Sequence, residues 1–283
     1  MIVIGGTSSK KLAQDLAKEL DSKYVQAQVS RFPDGECYVR IEEDSLDDDV
    51  IVVQNTHPDN NLVEMLLIQD AALGLGAKSV TSVVPYFGYS RQDERFNKGE
   101  ALSAKVMIDI LGLTSTRLAS VDVHKPVVLN WFKGETYNIS AAHCIGEFFK
   151  DSGIDLVLAP DEGALDRAAA VAEAINAEFD NLEKTRLSGE VVRMAPKNVD
   201  AKDKSVLIVD DIISTGGTIE AAANQLKVLG AKSVIAVCTH GLFARDALER
   251  LRKCCNAVYS TNTIENEVSV ISVAPQIAKL LRD

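Results

Sequence analysis

The sequence predicts an α/β protein built from two tandem copies of one domain, each a mostly parallel sheet flanked by helices. Short apolar runs alternate with segments of helical periodicity along the whole chain, as in a parallel sheet whose crossovers are helices. The segment Gly-Ala-Lys-Ser-Val begins at residue 76 and again at residue 230, and the run Val50-Ile-Val-Val-Gln-Asn is matched by Val206-Leu-Ile-Val-Asp-Asp. The two pairs of segments are offset by 154 and 156 residues, which indicates a duplication.

Runs of Val, Ile, Leu and Ala with few polar residues predict strands that are buried on both faces. The candidate strands cover residues 2–4, 24–29, 38–41, 50–54, 79–84, 117–121, 156–159, 205–209, 233–238 and 257–260. Apolar residues three and four positions apart predict helices between them, at residues 10–20, 61–75, 101–111, 163–176, 218–229, 244–252 and 275–281. The boundary is expected near residues 137–142, which gives domains 1–141 and 142–283.

Composition restricts the possible partners of the chain. Its 283 residues are 46% hydrophobic and 25% charged, with a net charge of −11 and a pI near 4.9. This acidity argues against a general nucleic-acid or membrane-surface binder, and no apolar run is long enough to suggest a membrane span. The first residues lead directly into a strand rather than a signal peptide, and five cysteines without metal-site spacing indicate free thiols. We therefore expect a cytoplasmic protein.

The most informative segment is the run from Val206 to Thr218. An apolar strand leads into Asp210 and Asp211, then into a Ser-Thr-Gly-Gly-Thr turn before a helix. Such a turn is typical of a phosphate site, because backbone N–H groups and the helix dipole meet there. Carboxylates repel phosphate, so the acids make sense beside sugar hydroxyls or a divalent cation. A sugar phosphate satisfies both conditions; the alternative is an aspartate pair that caps a helix at an ordinary glycine turn.

This turn differs from the common nucleotide-binding motifs. It has no lysine before the Ser/Thr, as a P-loop requires, and it is not the Gly-x-Gly-x-x-Gly dinucleotide turn. In the first copy, Gln54 and Asn55 stand where the second copy has the two aspartates. We therefore expect the sugar-phosphate loop to be present only in the second domain.

A long polar segment, from Pro85 to Glu100, follows the strand predicted at 79–84. Connections of this length in compact domains are commonly functional or mobile. Arg91, Arg95 and Lys98 supply enough positive charge to hold a polyphosphate in an acidic protein. A solvated loop with incidental charges is the alternative explanation.

Two further candidates follow predicted strand ends, where α/β enzymes place their sites. His124 could be a ligand through its neutral imidazole or an ordinary exposed residue. Asp161 could contact a hydroxyl or Mg²⁺, or cap the following helix.

Basic residues also occur on a predicted β-arm. Strand alternation would place Lys184 and Arg186 on one face of it, although a charged hairpin edge is the commoner explanation. The Pro-Asp-Gly turn after Arg31 offers the aromatic ring of Phe32 beside Asp34 and Glu36. That arrangement suits an adenine clamp or a plain turn.

Taken in order, these segments resemble the ribose-phosphate pyrophosphokinase (PRPP synthetase) family over essentially the whole chain. The similar segments are Arg31-Phe-Pro-Asp-Gly-Glu36, Tyr89-Ser-Arg-Gln-Asp93, Ser103-Ala-Lys105, Val121-Asp-Val-His124, Ala159-Pro-Asp-Glu-Gly163, Glu183-Lys-Thr-Arg186 and Asp210-Asp-Ile-Ile-Ser-Thr-Gly-Gly-Thr218. The resemblance implies two phosphoribosyltransferase-like domains, in agreement with the internal duplication. It also implies the reaction ATP + ribose 5-phosphate → PRPP + AMP, with Mg²⁺ as cofactor.

The resemblance assigns roles by position. ATP would be bound by Phe32, Asp34, Glu36, Arg91, Gln92, Asp93 and His124. Ribose 5-phosphate would be bound by Asp210, Asp211, Ser214, Thr215, Gly216, Gly217 and Thr218. His124 and Asp161 would lie at the metal, and Lys184 and Arg186 would be the catalytic basic pair on a mobile arm.

Adenine binding across a subunit interface, also implied by the family, would require a homo-oligomer, at least a dimer. Ser214 replaces an aspartate found in many bacterial and animal members, and the Ser-Thr-Gly-Gly-Thr turn resembles the archaeal-type enzymes. Two alternatives share parts of the pattern. One is a phosphoribosyltransferase that consumes PRPP, and the other is a non-catalytic regulatory homologue.

Overall fold

A computed structural model describes residues 1–186, 192–196 and 200–282 of the protein, without the side chains of residues 183–199. Its contacts divide the chain into two compact units. The first contains Met1–Ser140, Thr263–Glu265 and residues 272–282, and the second contains Ala141–Asn262 and Asn266–Ile271. The end of the chain therefore belongs to the first unit, whereas the sequence-based division assigns it to the second domain. The division of the chain into two duplicated domains, 1–141 and 142–283, is a separate question from this grouping of contacts, and it stays a prediction.

The first unit is built around a six-stranded parallel sheet. Its elements begin with β1 (Ile2–Gly5), α1 (Lys10–Glu19), β2 (Lys23–Gln26), β3 (Gln28–Arg31), β4 (Cys37–Arg40), β5 (Asp49–Val53) and α2 (Asp59–Gly74). They continue with β6 (Ser79–Val84), α3 (Ser103–Leu111), β7 (Arg117–Val121) and β8 (Glu135–Ile139). The sheet order is β2-β1-β5-β6-β7-β8, all parallel, while β3 and β4 form a separate antiparallel hairpin.

The second unit repeats this topology. Its elements are α4 (Ala142–Phe149), β9 (Leu156–Ala159), α5 (Leu165–Ile175), β10 (Glu178–Arg186), β11 (Val192–Pro196), β12 (Ser205–Ile213), α6 (Gly217–Val228), β13 (Ser233–Gly241), α7 (Ala247–Cys254), β14 (Ala257–Thr261) and β15 (Ser269–Ile271). The order is β11-β10-β9-β12-β13-β14-β15, parallel except for the β10–β11 pair. The last helix, α8 (Ala274–Arg282), packs on α1 in the first unit.

The correspondence between the two sheets agrees with the duplication. When β1 is matched to β9, the strands β2, β5, β6, β7 and β8 fall on β10, β12, β13, β14 and β15 in the same order. The repeated sequence segments lie on β5 and β12 and at the entries to β6 and β13. Helices pack on both sheets, which confirms the predicted α/β fold of mostly parallel sheets flanked by helices.

The core explains why the apolar runs form central strands. Val50 and Val52 of β5 and Val206 and Ile208 of β12 are fully buried. Burial of one such side chain contributes about 1.5–3 kcal/mol. The central position of these strands requires apolar residues on both faces, which matches the continuous runs in the sequence.

Three local expectations were wrong. The strand predicted at 24–29 is two strands, because the parallel ladder ends where the Ala27 N–H bonds to the Gly5 carbonyl and β3 then leaves the sheet. Strand β12 does not end at Val209 but continues through both aspartates to Ile213. The edge strand β8 was missed because its Glu-Thr-Tyr-Asn-Ile sequence is mostly polar, as exposure at an edge allows.

Candidate active site

The turn between β12 and α6 is open to solvent, as a phosphate site requires. Thr215 and Gly217 are exposed, and Ser214 and Thr218 are half-buried. A Cβ atom added to Gly217 would meet nothing within 4 Å, so a ligand can approach its backbone. Gly216 has φ +75°, a left-handed conformation that strains other residues. Because α6 begins at Gly217, the unpaired N–H groups of its first turn lie beside this opening.

The two aspartates at this turn share an electrostatic environment. Asp210 and Asp211 are half-buried, and each accepts a hydrogen bond from the next backbone N–H, at 2.9 Å from Asp211 and 2.8 Å from Ile212. Burial, then the charge of Asp211, raises the pKa of Asp210 to about 8. The raised pKa favours retention of a proton by the Asp210–Asp211 pair, and a protonated pair can both donate to and accept from a sugar hydroxyl.

Asp161 lies close to this pair. It follows β9 and precedes the short 3₁₀ helix Glu162–Ala164, but its side chain makes no capping hydrogen bond. Its charge is one of the influences that raise the pKa of Asp210. The structure thus gathers three predicted carboxyl groups at the carboxyl edge of one sheet.

The first unit has no comparable turn among its described residues at the matched position. Gln54 and Asn55 are buried and bonded to neighbouring elements. The Oε1 atom of Gln54 accepts from Ser8, and the Nδ2 atom of Asn55 donates to the carbonyl of Thr263. Both side chains are therefore engaged within the first unit.

In the segment from Pro85 to Glu100, the last residue accepts hydrogen bonds from the residues that precede it. The carboxylate of Glu100 accepts from the backbone N–H groups of Phe96 at 2.8 Å and Asn97 at 3.0 Å. The side chain of Asn97, followed by these N–H groups, lowers the pKa of Glu100. Arg91 and Lys98 remain exposed, as does Arg95, whose Nε atom donates to the Glu100 carbonyl at 2.9 Å. This role of Glu100 was not predicted from the sequence, because no residue pattern shows which backbone N–H groups a carboxylate will meet.

Gln92 and Asp93 are half-buried in the same segment. The Nε2 atom of Gln92 donates to the carbonyl of Glu94 at 2.9 Å. His124 is exposed three residues beyond the end of β7. In the described part of the chain, no three His, Cys, Asp or Glu side chains are grouped so that they could hold a metal ion by themselves.

The tip of the β3–β4 hairpin presents an aromatic surface. Phe32 is 49% exposed, and its ring meets that of Tyr38 edge-on with centroids 5.7 Å apart. The Asp34 carboxylate accepts from the Glu36 N–H at 3.1 Å, which closes the turn. Tyr38 was missed from the sequence; strand alternation alone does not show which residue lies beside Phe32.

Lys184 and Arg186 lie in strand β10, paired with Met194 and Val192 of β11. This agrees with their expected position on a β-arm, but their side chains lie outside the described residues. Elsewhere in unit two, all four cysteines are free and buried, and Cys37 of the first unit is free and partly exposed. No helix in the described ranges combines the length and apolar character needed to cross a membrane.

Comparison with known proteins identifies the family. Residues 1–114 match the N-terminal domain of ribose phosphate pyrophosphokinase, and residues 136–277 match the phosphoribosyl transferase domain. The ribose-phosphate pyrophosphokinase of Pyrococcus abyssi is 44% identical, over 99% of this chain and 98% of that protein. The chain belongs to the ribose-phosphate pyrophosphokinase family. The predicted resemblance is therefore confirmed, and with it the assignment to a transferase family of nucleotide biosynthesis.

Other relatives agree with this membership. The ribose-phosphate pyrophosphokinase of Thermococcus kodakarensis is 44% identical over 99% of this chain and all of that protein. The crystal structure of phosphoribosylpyrophosphate synthetase from Mycobacterium smegmatis matches with a TM-score of 0.85 at 30% identity, covering 99% of this chain and 97% of that one. The pyrophosphokinase fold thus extends over both units.

Proposed function

We propose that this chain transfers the β,γ-diphosphoryl group of ATP to the 1-hydroxyl of ribose 5-phosphate, giving PRPP and AMP. One observation supports this most directly: an open glycine turn stands beside paired half-buried aspartates in the second unit of a chain that belongs to the pyrophosphokinase family. The turn suits an anion and the aspartates suit a diol, which are the two ends of ribose 5-phosphate.

The sugar subsite is assigned to the β12–α6 turn. Asp210 and Asp211 bond the ribose hydroxyls and orient the ring. The 5-phosphate accepts hydrogen bonds from the N–H groups and hydroxyls of the turn, which consists of Ser214, Thr215, Gly216, Gly217 and Thr218. Ser214 contributes a neutral hydroxyl, so phosphate meets no third carboxylate at the start of the turn.

The ATP subsite is assigned to the first unit. Phe32 stacks on adenine while Asp34 and Glu36 accept from its edge; the 49% exposure of the Phe32 ring leaves a face for the base. Arg91 contacts the phosphates, and Gln92 and Asp93 make further polar contacts. His124 is the remaining ATP ligand, three residues past the end of β7.

The carboxylate of Asp161 fits Mg²⁺, because this ion prefers oxygen ligands. Mg²⁺ commonly keeps several waters and takes one or two protein ligands together with substrate phosphates, so a protein cage of three side chains is not needed. Asp161 would supply an oxygen ligand, whereas His124 is assigned to the metal on the family resemblance alone, because imidazole suits softer ions than Mg²⁺. When bound, the ion neutralises charge on the phosphate oxygens.

The reaction needs positioning and charge stabilisation more than covalent catalysis. The 1-hydroxyl oxygen of ribose attacks the β-phosphorus, the bond between this phosphorus and the bridging oxygen to the α-phosphate breaks, and AMP leaves. The hydroxyl proton passes to solvent. Lys184 and Arg186 stabilise the charge that develops on the transferred group and on AMP.

We also propose a homo-oligomer, at least a dimer, in the cytoplasm. The β3–β4 hairpin and helix α2 are in contact, and both carry exposed apolar side chains, including Tyr38 at 44% and Val63 at 49%. Adjacent exposed apolar groups of this kind commonly mark protein interfaces.

Incubation with ATP, Mg²⁺ and ribose 5-phosphate tests the proposed reaction. We expect AMP and PRPP in equal amounts. Formation of ADP, or of no product, would contradict the proposal. Consumption of added PRPP with a nucleobase and release of pyrophosphate would support the phosphoribosyltransferase alternative, and ligand binding without any turnover would support the regulatory homologue.

A further inference from the structure

Three successive carbonyl groups, those of Ile213, Ser214 and Thr215, accept hydrogen bonds from the segment after β13 and from helix α7. The Ile213 carbonyl accepts from two N–H groups of the segment after β13, at 3.1 and 3.0 Å. The Ser214 carbonyl accepts from the Ala244 N–H at 3.0 Å. The Thr215 carbonyl accepts from the Nη2 atom of Arg250 at 2.5 Å. Arg250, on helix α7, is thus the side chain that continues this series of backbone contacts.

Two carboxylates fix the orientation of Arg250. Its Nη1 atom pairs with Glu220 in the first turn of α6, and its Nε atom pairs with Asp246 at 3.2 Å. Their hydrogen bonds and charges raise the pKa of the guanidinium, with Asp246 the larger influence. The side chain is only 32% exposed. The planar guanidinium suits several simultaneous contacts, which a lysine ammonium does not reproduce.

The hydrogen bond from Arg250 to the Thr215 carbonyl also orients the N–H group of the same peptide. In a planar trans peptide the C=O and N–H groups point in opposite directions. Fixing the Thr215 carbonyl toward α7 therefore directs the Gly216 N–H away from α7. The same helix limits the turn sterically, since a Cβ on Gly216 would come within 3.3 Å of Leu251.

We propose that Arg250 is a positioning residue for the 5-phosphate: it holds the Thr215–Gly216 peptide so that its N–H meets the anion. This inference rests on the assignment of the turn to the sugar phosphate. Because Glu220 and Asp246 together outweigh the charge of Arg250, its contribution is orientation rather than net attraction. Loss of Arg250 should accordingly lower the affinity for the sugar phosphate by releasing the Thr215–Gly216 peptide.

Calorimetric titration with ribose 5-phosphate, and separately with inorganic phosphate, tests this without ATP. The variant is Arg250→Gln. The matched control is Arg252→Gln on the same helix, which removes an arginine paired with Glu267 at 3.1 Å. We expect Arg250→Gln to weaken binding of ribose 5-phosphate about tenfold or more, the scale of one lost charged hydrogen bond. Arg252→Gln should change it less than about twofold, as expected for an exposed pair.

A second variant addresses folding. Glu220→Gln keeps Arg250 as the donor to the Thr215 carbonyl but removes one of the two carboxylates that hold the guanidinium. It should therefore weaken phosphate binding less than Arg250→Gln does. The melting temperatures of the two variants should be comparable. Arg250→Lys, which retains one donor, should restore part of the lost affinity. An increase in KM for ATP as large as that for ribose 5-phosphate would instead indicate a general structural role and overturn the inference.

The outcomes separate this inference from the proposed reaction. If the wild type binds the sugar phosphate but forms no AMP, the reaction is wrong and the comparison of variants still decides the role of Arg250. Equal affinities of Arg250→Gln and Arg252→Gln would overturn the inference alone. A wild type that binds neither ribose 5-phosphate nor phosphate would overturn both.

Discussion

Buried Gln54 pairs with half-buried Ser8: its carboxamide oxygen accepts from both the Ser8 hydroxyl, at 2.6 Å, and the Ser8 backbone N–H, at 3.0 Å. The Nε2 atom of the same Gln54 donates to Glu64 at 2.7 Å, and Glu64 accepts from the N–H and hydroxyl of Thr7, both at 2.7 Å. In the duplicated sequence Gln54 corresponds to Asp210. The position that carries a half-buried acid in the second unit therefore closes a turn in the first.

This relationship predicts a strong effect of charge at Gln54. Gln54→Glu replaces the donor to Glu64 by a second buried carboxylate, which should lower the free energy of unfolding by about 3–5 kcal/mol. Gln28→Glu, on the exposed hairpin, should change it by less than about 0.5 kcal/mol. Urea denaturation measures both. Equal stability of the two variants would show that the network does not stabilise the first unit.

The proposed catalytic pair can be tested by truncation. Lys184→Ala and Arg186→Ala should each lower kcat severely, on the order of 10³-fold, because charge stabilisation dominates phosphoryl transfer. Melting temperatures should change little. Lys150→Ala, which removes an exposed lysine paired with Glu147, is the control. Wild-type kcat in either catalytic variant would refute its assignment.

Glu100 should affect the handling of ATP through the segment it orders. Glu100→Gln weakens the acceptor of the Phe96 and Asn97 N–H groups, so we expect KM for ATP to rise about three- to tenfold while KM for ribose 5-phosphate stays constant. Glu94→Gln removes the same charge from the same segment without these contacts. Steady-state kinetics with each substrate varied decides the matter; a rise in KM for both substrates would count against a local role.

The raised pKa of Asp210 predicts a pH dependence of stability. Between about pH 4 and pH 8 the folded protein holds a proton on Asp210 that the unfolded chain has released, so stability falls as pH rises through this interval. Asp210→Asn has no such proton. Its melting temperature relative to wild type should therefore increase from pH 5 to pH 8.5, whereas that of exposed Asp203→Asn should not. A constant difference for Asp210→Asn would contradict the raised pKa.

Much of the architecture follows from local sequence. The apolar runs at Val50 and Val206 identify central parallel strands because both faces of such strands are buried. The Ser-Thr-Gly-Gly-Thr turn predicts an anion site because small and hydroxyl side chains allow close backbone approach at a helix start. The edge strand β8 was not predicted because an exposed strand does not need apolar residues, so its sequence lacks the apolar run that marks a central strand.

By itself the sequence determined the α/β fold, the duplication and the family, because short contiguous segments are enough to recognise each of them. Tertiary structure alone decided that β12 continues through its aspartates, that Gln54 closes a turn, that α8 joins the first unit and that Arg250 holds the Thr215 carbonyl. These features depend on contacts between residues such as Thr215 and Arg250, 35 positions apart. Contacts between residues so far apart form only when the chain packs, and the local periodicity of the sequence does not predict them.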